Sequence, residues 1–241
     1  MLVNLNCPNC GAALPARAKS AEIIVCEYCS TSFRVPKSYA LPEPDIGDLM
    51  LGADFNQGPI LGWEIQNEDK VRLIPGPTPE LRAKCPPSDN VHYVLRSSGA
   101  FDNLDASVTI CFLEGKLEWV DAGLFWRYSP DLGGYGVFIS EQSTYMLGFY
   151  EMTDKGELAW RKILDWAKHT ALRPGLGQSN RLRMVTNGKR IRIYLNGMLA
   201  TSFQDARFEV GQVRLGVEPS KNSTVEVAFS NLQLRGVTEK G

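Results

Sequence analysis

The run RLRMVTNGKRIRIYLNGMLATSF, residues 181–203, constrains the fold more than any other stretch of the chain. Asn187-Gly188 and Asn196-Gly197 each separate two runs in which apolar and polar residues alternate. A period of two marks a half-buried strand, and Asn-Gly tolerates the positive φ angles of a type I′ hairpin turn. Three successive antiparallel strands are expected here. Leu182, Met184, Ile191, Ile193 and Leu195 would face a core, with Arg181, Arg183, Arg190, Arg192 and Tyr194 on the opposite side.

The same texture fills the chain from about Ala53 onward. VHYVLR, DASVTICF, GLFWRYS, GYGVFIS, TYMLGFYE, ELAWRKILDW, GQVRLGVE and TVEVAFSNLQL read as strands, punctuated by Gly, Pro, Asp and Asn. DFNQGPILGWEI is expected to supply the first strand, with the C-terminal strand near it. No long stretch carries a 3.6-residue period, so the reading is an antiparallel sandwich or barrel rather than a βαβ fold. The 241 residues carry a net charge of −1, which argues against a chain built to coat nucleic acid or an anionic membrane. No apolar run approaches the roughly 18 residues of a membrane span. MLVNLNCPNC shows no basic start followed by an apolar run, so no signal peptide is read there. A cytoplasmic location with reduced thiols is expected.

The N-terminal end is different. Four of the six cysteines form two Cys-x-x-Cys pairs, Cys7/Cys10 and Cys26/Cys29, with fifteen residues between them. Two cysteines three apart on a tight turn point both sulfurs at one centre, and a second such turn completes a tetrahedron around Zn²⁺. A thioredoxin-like redox site would instead need one pair beside a βαβ pattern. Gly11 suits the first knuckle; Ser30 stands where the second would favour glycine. AEIIVC reads as a strand and TSFRV as its partner. A closed four-sulfur site has no open position for substrate, so the zinc is expected to be structural and to supply much of the folding energy of so small a unit. CPNCGAAL and CEYCSTSF resemble the small zinc ribbons of bacterial proteins. Such ribbons dock proteins, bind nucleic acid or serve structure alone. Residues 1–36 have three basic and two acidic side chains, net +1, a poor footprint for phosphate. Three prolines and three acids lie between Pro36 and Gly52, so residues 37–52 read as an extended spacer. The expected units are a ribbon over 1–36, a linker over 37–52 and a β-domain over 53–241.

The order GLFWRYSPDLGGYGVFIS, STYMLGFYE, NRLRMVTNGKRIRIYLNGMLATSF and GQVRLGV resembles the concanavalin A-like lectin/glucanase jelly roll. It is similar to the laminin-G-like branch and to 3-keto-disaccharide hydrolase-like domains. The resemblance implies an all-β, two-layer fold that hosts lectins, adhesion modules and glycosidases, so function has to come from a site.

Glycosidases of that fold carry acids at alternating strand positions, in a pattern such as Glu-x-Asp-x-x-Glu. Alternation puts the acid and the nucleophile on one face. The chain has no such stretch. The nearest, EGKLEWVD, offers Glu114, Glu118 and Asp121, which read as solvated loop acids. His92 is expected to point away from the core and His169 to sit in a loop. Cys85 and Cys111 read as unpaired thiols. No catalytic residue is assigned. A binding face is expected instead. Burying Arg127 would be costly, so Phe125 and Arg127 should face out while Leu124, Trp126 and Tyr128 pack inward. With Tyr150, Arg192 and Tyr194 they would line one exposed sheet face suited to a glycan or to a protein partner. The leading expectation is a non-enzymatic recognition protein; the alternative is a carbohydrate-active hydrolase.

Overall fold

The computed structural model describes residues 44–56, 60–115 and 120–238, and the backbone of 23–25 and 32–34. Cys7, Cys10, Cys26 and Cys29 fall outside these residues, as do Glu118 and Trp119. In chain order the strands are β1 (Ile23–Val25), β2 (Ser32–Arg34), β3 (Asp45–Gly52), β4 (Trp63–Ile65), β5 (Val71–Ile74), β6 (Glu80–Cys85), β7 (His92–Ser97), β8 (Leu104–Glu114) and β9 (Asp121–Ser129). They continue with β10 (Gly133–Ser140), β11 (Thr144–Met152), β12 (Leu158–Lys168), β13 (Ser179–Asn187), β14 (Arg190–Leu195), β15 (Met198–Gln204), β16 (Gln212–Glu218) and β17 (Val225–Thr238).

β1 and β2 pair antiparallel, with Ile23 opposite Arg34, as expected of AEIIVC and its partner TSFRV. The other strands build two antiparallel sheets. One runs β12-β11-β10-β9-β16-β7-β4; the other runs β15-β14-β13-β8-β17-β6-β5. The architecture is an all-β, two-sheet sandwich, as the strand pattern implied.

Two segments depart from expectation. Asp45–Gly52, read as the end of a spacer, forms β3 and pairs with the second half of β17, Leu51 opposite Leu234. DFNQGPILGWEI contributes only the short β4, at the edge of the seven-stranded sheet. β5 and β6, not among the expected strands although ELRAKC alternates strictly, complete the eight-stranded sheet.

The core lies between the sheets. Val108 and Ile110 on β8, Leu182 and Met184 on β13, and Leu124 and Trp126 on β9 are all at most 1% exposed. Each such side chain contributes roughly 1.5–3 kcal/mol on leaving water. Along β17 the alternation skips: Phe229, Leu232 and Leu234 all reach the core although Phe229 and Leu232 are three apart. Asn231, at φ 51°, is the extra residue of a bulge that shifts the register between Ser230 and Gln233.

Asn196 and Gly197 both have positive φ, the pattern of a type I′ turn. In the preceding hairpin only Gly188 does, because Asn187 is still paired with Arg190 and the turn is Gly188-Lys189. That turn therefore sits one residue later than Asn187-Gly188.

Candidate functional site

The outer face of the seven-stranded sheet carries a second cluster of rings. On β9, Ala122, Leu124 and Trp126 enter the core, so Asp121, Gly123 and Phe125 point the other way. Phe125 packs there with Phe138, Met146 and Tyr128, and with the partly buried Tyr93, Tyr150, Trp160 and Trp166.

Glycines make the packing possible. A Cβ at Gly136 would stand 2.8 Å from Phe125 Cε1, and one at Gly216 would stand 2.8 Å from Phe125 Cε2. Trp160 lies over Gly148 in the same way, its Cε2 2.7 Å from where a Cβ would be. Bare backbone lets these rings lie against the sheet instead of standing off it. Phe125 meets Tyr93 edge-on at 5.1 Å and Phe138 edge-on at 5.0 Å, and stacks with Tyr150 at 6.2 Å. Tyr150 meets Trp160 at 4.9 Å. These offset and edge-to-face geometries are the favoured ones for aromatic pairs. The Arg214 guanidinium sits 4.3 Å from the Tyr128 ring centre and 5.2 Å from that of Tyr93. Phe125 and Phe138 form a buried floor, while Tyr93, Tyr150, Trp160 and Trp166 are only partly buried. Burial pushes the hydroxyls of Tyr93 and Tyr150 above the ordinary tyrosine value, so both remain protonated donors.

At one end of this face is a pocket of about 510 Å³ lined by Asp121, Glu218, Asp89, Lys221, Trp166 and Met146, with neighbours. Asp121 and Glu218 are directly opposite on β9 and β16 and share the outer face. Asp121 is 7% exposed, and its Oδ1 has no hydrogen-bond partner. Burial, then the charges of Glu218 and Glu141, hold its carboxyl well above the usual carboxylate range. Burial and then Asp89 push Glu218 the same way. Asp121 is thus not a solvated loop acid but the first residue of a strand, walled into a pocket. Glu114 is exposed, with Lys84 Nζ 2.6 Å away.

The five residues expected on one binding face are split. Phe125 and Tyr150 are on the outer face of the seven-stranded sheet, Phe125 completely covered. Arg192 and Tyr194 belong to β14, in the other sheet. Arg192 is 3% exposed, and Tyr194 packs with Val185 and Val237 beneath Arg183. Arg127 and Tyr128 exchange their expected directions. Arg127 has φ 48° and forms a bulge in which the β9–β10 register shifts. Its side chain turns inward: Nε donates to the Asp102 carbonyl at 3.1 Å, Nη1 to Phe208 at 3.0 Å and Nη2 to Gly188 at 2.9 Å. Tyr128 goes to the outer face with Phe125. The cost of burying Arg127 is offset by three carbonyls that no local pattern announces.

His92 stands opposite Val217, on the core side rather than away from it, because Val94 is an extra residue in the β7–β16 pairing. Its Nε2 has no partner, and burial lowers its pKa. His169 is in a loop, where Nδ1 accepts the Ala171 N–H at 3.2 Å. Cys85 and Cys111 are free thiols, as expected, and burial raises Cys85 to about 11. Among the described residues, no group of three or more His, Cys, Asp or Glu is arranged to hold a metal ion. Among the described residues, no helix is long and apolar enough to cross a membrane. Glu218 escaped notice because GQVRLGVE reads as an ordinary strand. The signal was the shared alternation that puts Glu218 and Gly216 on one face of β16, and Asp121 and Gly123 on one face of β9.

The fold is an antiparallel two-sheet sandwich of the jelly-roll kind, and several solved structures share it. A carbohydrate binding module from Bacillus subtilis superposes with a TM-score of 0.52 at 18% identity, covering 73% of this chain and 96% of that one. A β-glucanase of Bacillus licheniformis gives 0.56 at 11% identity, covering 77% and 97%. The κ-carrageenase of Pseudoalteromonas carrageenovora, solved with an oligotetrasaccharide of κ-carrageenan, gives 0.57 at 9% identity, covering 83% and 98%. At these identities the likeness is one of fold. No protein-family model matches the chain, and no curated protein matches it.

Proposed function

We propose that the sandwich binds carbohydrate on the outer face of its seven-stranded sheet. The single observation behind this reading is the set of partly buried rings, Tyr93, Tyr150, Trp160 and Trp166, packed on a buried Phe125–Phe138 floor. Aromatic faces stack on the apolar faces of sugars, and tyrosine hydroxyls kept protonated supply donors. Rings already packed against glycines lose little freedom when a ligand arrives, which favours affinity. That solved structures of this fold include a carbohydrate binding module supports the choice of glycan over protein. A glycan array followed by titration tests it: at least one oligosaccharide binds, and Trp160→Ala weakens it about tenfold or more. A blank array, or unaltered affinity in Trp160→Ala, overturns it.

One observation favours a second reading, hydrolysis. Asp121 and Glu218 are paired across adjacent strands at the end of the ring-lined face. Side chains so placed have Cβ atoms about 4.5–5.5 Å apart, near the roughly 5–5.5 Å carboxyl separation of retaining glycosidases. Asp121, held protonated, would hand its proton to the glycosidic oxygen while the Glu218 carboxylate attacks the anomeric carbon; water then releases the sugar. Reducing-end release from β-glucan or carrageenan, abolished by Asp121→Asn, would establish this reading. No release from any substrate the array identifies would discard it.

The cysteine quartet is proposed to hold a structural Zn²⁺. The Cys-x2-Cys-x15-Cys-x2-Cys spacing and the antiparallel β1–β2 pair support this. Four thiolates saturate the ion, so its chemistry is to hold the fold rather than to activate substrate.

A further inference from the structure

We propose that the pocket formed by Asp121, Glu218 and Trp166 is a subsite for a positively charged sugar, the ammonium group of a free amino sugar in an oligosaccharide seated on the ring-lined face. This rests on the glycan-binding reading and names its ligand class.

The pocket is built for a cation it does not itself contain. Asp121 and Glu218 are opposite one another on a common face, and three acids with one lysine are among the residues lining the cavity. That lysine is committed elsewhere: Lys221 Nζ is 3.0 Å from Asp89 Oδ2. Among the described residues, neither Asp121 nor Glu218 makes an ion pair. Asp121 is 93% buried, yet its Oδ1 finds no donor. A buried acid beside a partly buried one, without a cation, is an unfavourable arrangement unless something arrives to compensate them. A proton is one answer, and the upward displacement of both carboxyls is in keeping with it. An ammonium group is the other, because it offers three donors to the two carboxyls and a charge to the indole of Trp166.

The cation is assigned to a sugar rather than to a lysine side chain or a free polyamine because the pocket is continuous with the proposed glycan face. Met146 and Trp166 belong both to the pocket wall and to the ring cluster. Asp121 and Phe125 are four residues apart on one strand face, about 14 Å at the usual strand rise. A single oligosaccharide lying along β9 would therefore touch rings and acids together.

The experiment compares three oligomers of equal length against the whole chain: glucosamine, N-acetylglucosamine and cello-oligosaccharides. Titrations are run at about 0.15 M salt, where the Debye length is about 8 Å and diffuse attraction is screened. The expected result is that the glucosamine oligomer binds about tenfold tighter than the two neutral ones, a difference of about 1.4 kcal/mol. Asp121→Asn and Glu218→Gln each erase that preference and leave cello-oligosaccharide binding in place. Asp131→Asn, at an exposed acid remote from the pocket, keeps it. Equal affinity for all three oligomers, still weakened by Trp160→Ala, overturns the subsite and leaves the glycan reading standing. No binding of any oligomer overturns both. Cleavage that disappears in Asp121→Asn assigns the pair to acid–base chemistry and overturns the ammonium subsite. The wild-type comparison decides the matter even if a variant fails to fold.

Discussion

The ring of Phe125 rests against the bare backbone of Gly136 on the neighbouring strand, close enough that a Cβ there would be 2.8 Å from Phe125 Cε1. The ring cannot yield, because Gly216 confines its other edge at the same distance and Trp160 lies 3.2 Å from the same Gly136 position. Gly136→Ala should therefore destabilise the sandwich by about 1–3 kcal/mol, the usual cost of overpacking. Thermal denaturation measures this. An unchanged melting temperature would show that the floor is looser than described.

Arg127 predicts a loss of stability with no separate loss of binding. Its guanidinium serves three carbonyls, those of Asp102, Phe208 and Gly188, which come from three loops. Arg127→Leu leaves the Phe208 and Gly188 carbonyls without this donor and Asp102 with only the Thr186 hydroxyl, and should cost about 3–5 kcal/mol in urea denaturation. Arg127→Lys should recover little, since an ammonium group cannot reproduce the fork. A variant as stable as the parent would contradict the clamp.

Asp121 predicts a pH dependence of definite sign. Burial, Glu218 and Glu141 raise its carboxyl above the ordinary 3.8, so the folded chain holds the proton more tightly than the unfolded chain. Below about pH 3.8 both states are protonated, and Asp121→Asn should match the parent. As the pH rises from there through the folded-state titration, the parent loses stability and the variant does not. At pH 7 the asparagine variant should melt higher. Melting curves from pH 4 to pH 8 check this, and a variant that melts lower at pH 7 would reverse the assignment.

The two outer faces of the sandwich predict different responses. Trp166→Ala, on the seven-stranded sheet, should lower glycan affinity about tenfold. Tyr194→Ala, on the eight-stranded sheet, should leave it unchanged. Isothermal titration with the array's best ligand separates them, and equal loss from both would mean that the ligand is not on the proposed face.

Zinc predicts a local effect. Metal analysis should find one zinc per chain, lost in Cys26→Ser. The melting of the sandwich should be preserved in that variant, because its core lies between the two large sheets. Absence of zinc from protein prepared in zinc-containing medium would dismiss the quartet as a metal site.

Much of the architecture was legible from local pattern. The alternation in RLRMVT and KRIRIYL placed Leu182, Met184, Ile191 and Ile193 in the core, where they are fully buried. Alternation misled where one residue broke it. Arg127 at φ 48° reversed itself and Tyr128, and Val94 reversed His92. A bulge leaves no mark in composition because it answers to the partner strand's register. The spacer reading of Asp45–Gly52 erred for a related reason: β3 is an exposed strand that buries little and exists through its pairing with β17.

Side-chain alternation, turn residues and cysteine spacing are properties of neighbouring residues, so the sequence alone determined that the chain is all-β, where most strands run and which side chains face inward. It could not say which sheet a strand joins. That choice is made by pairing between distant segments, and it put Arg192 and Tyr194 on the face opposite Phe125 and Tyr150. The same long-range register brought Asp121 and Glu218 together, two acids far apart in the chain that only the β9–β16 pairing makes neighbours.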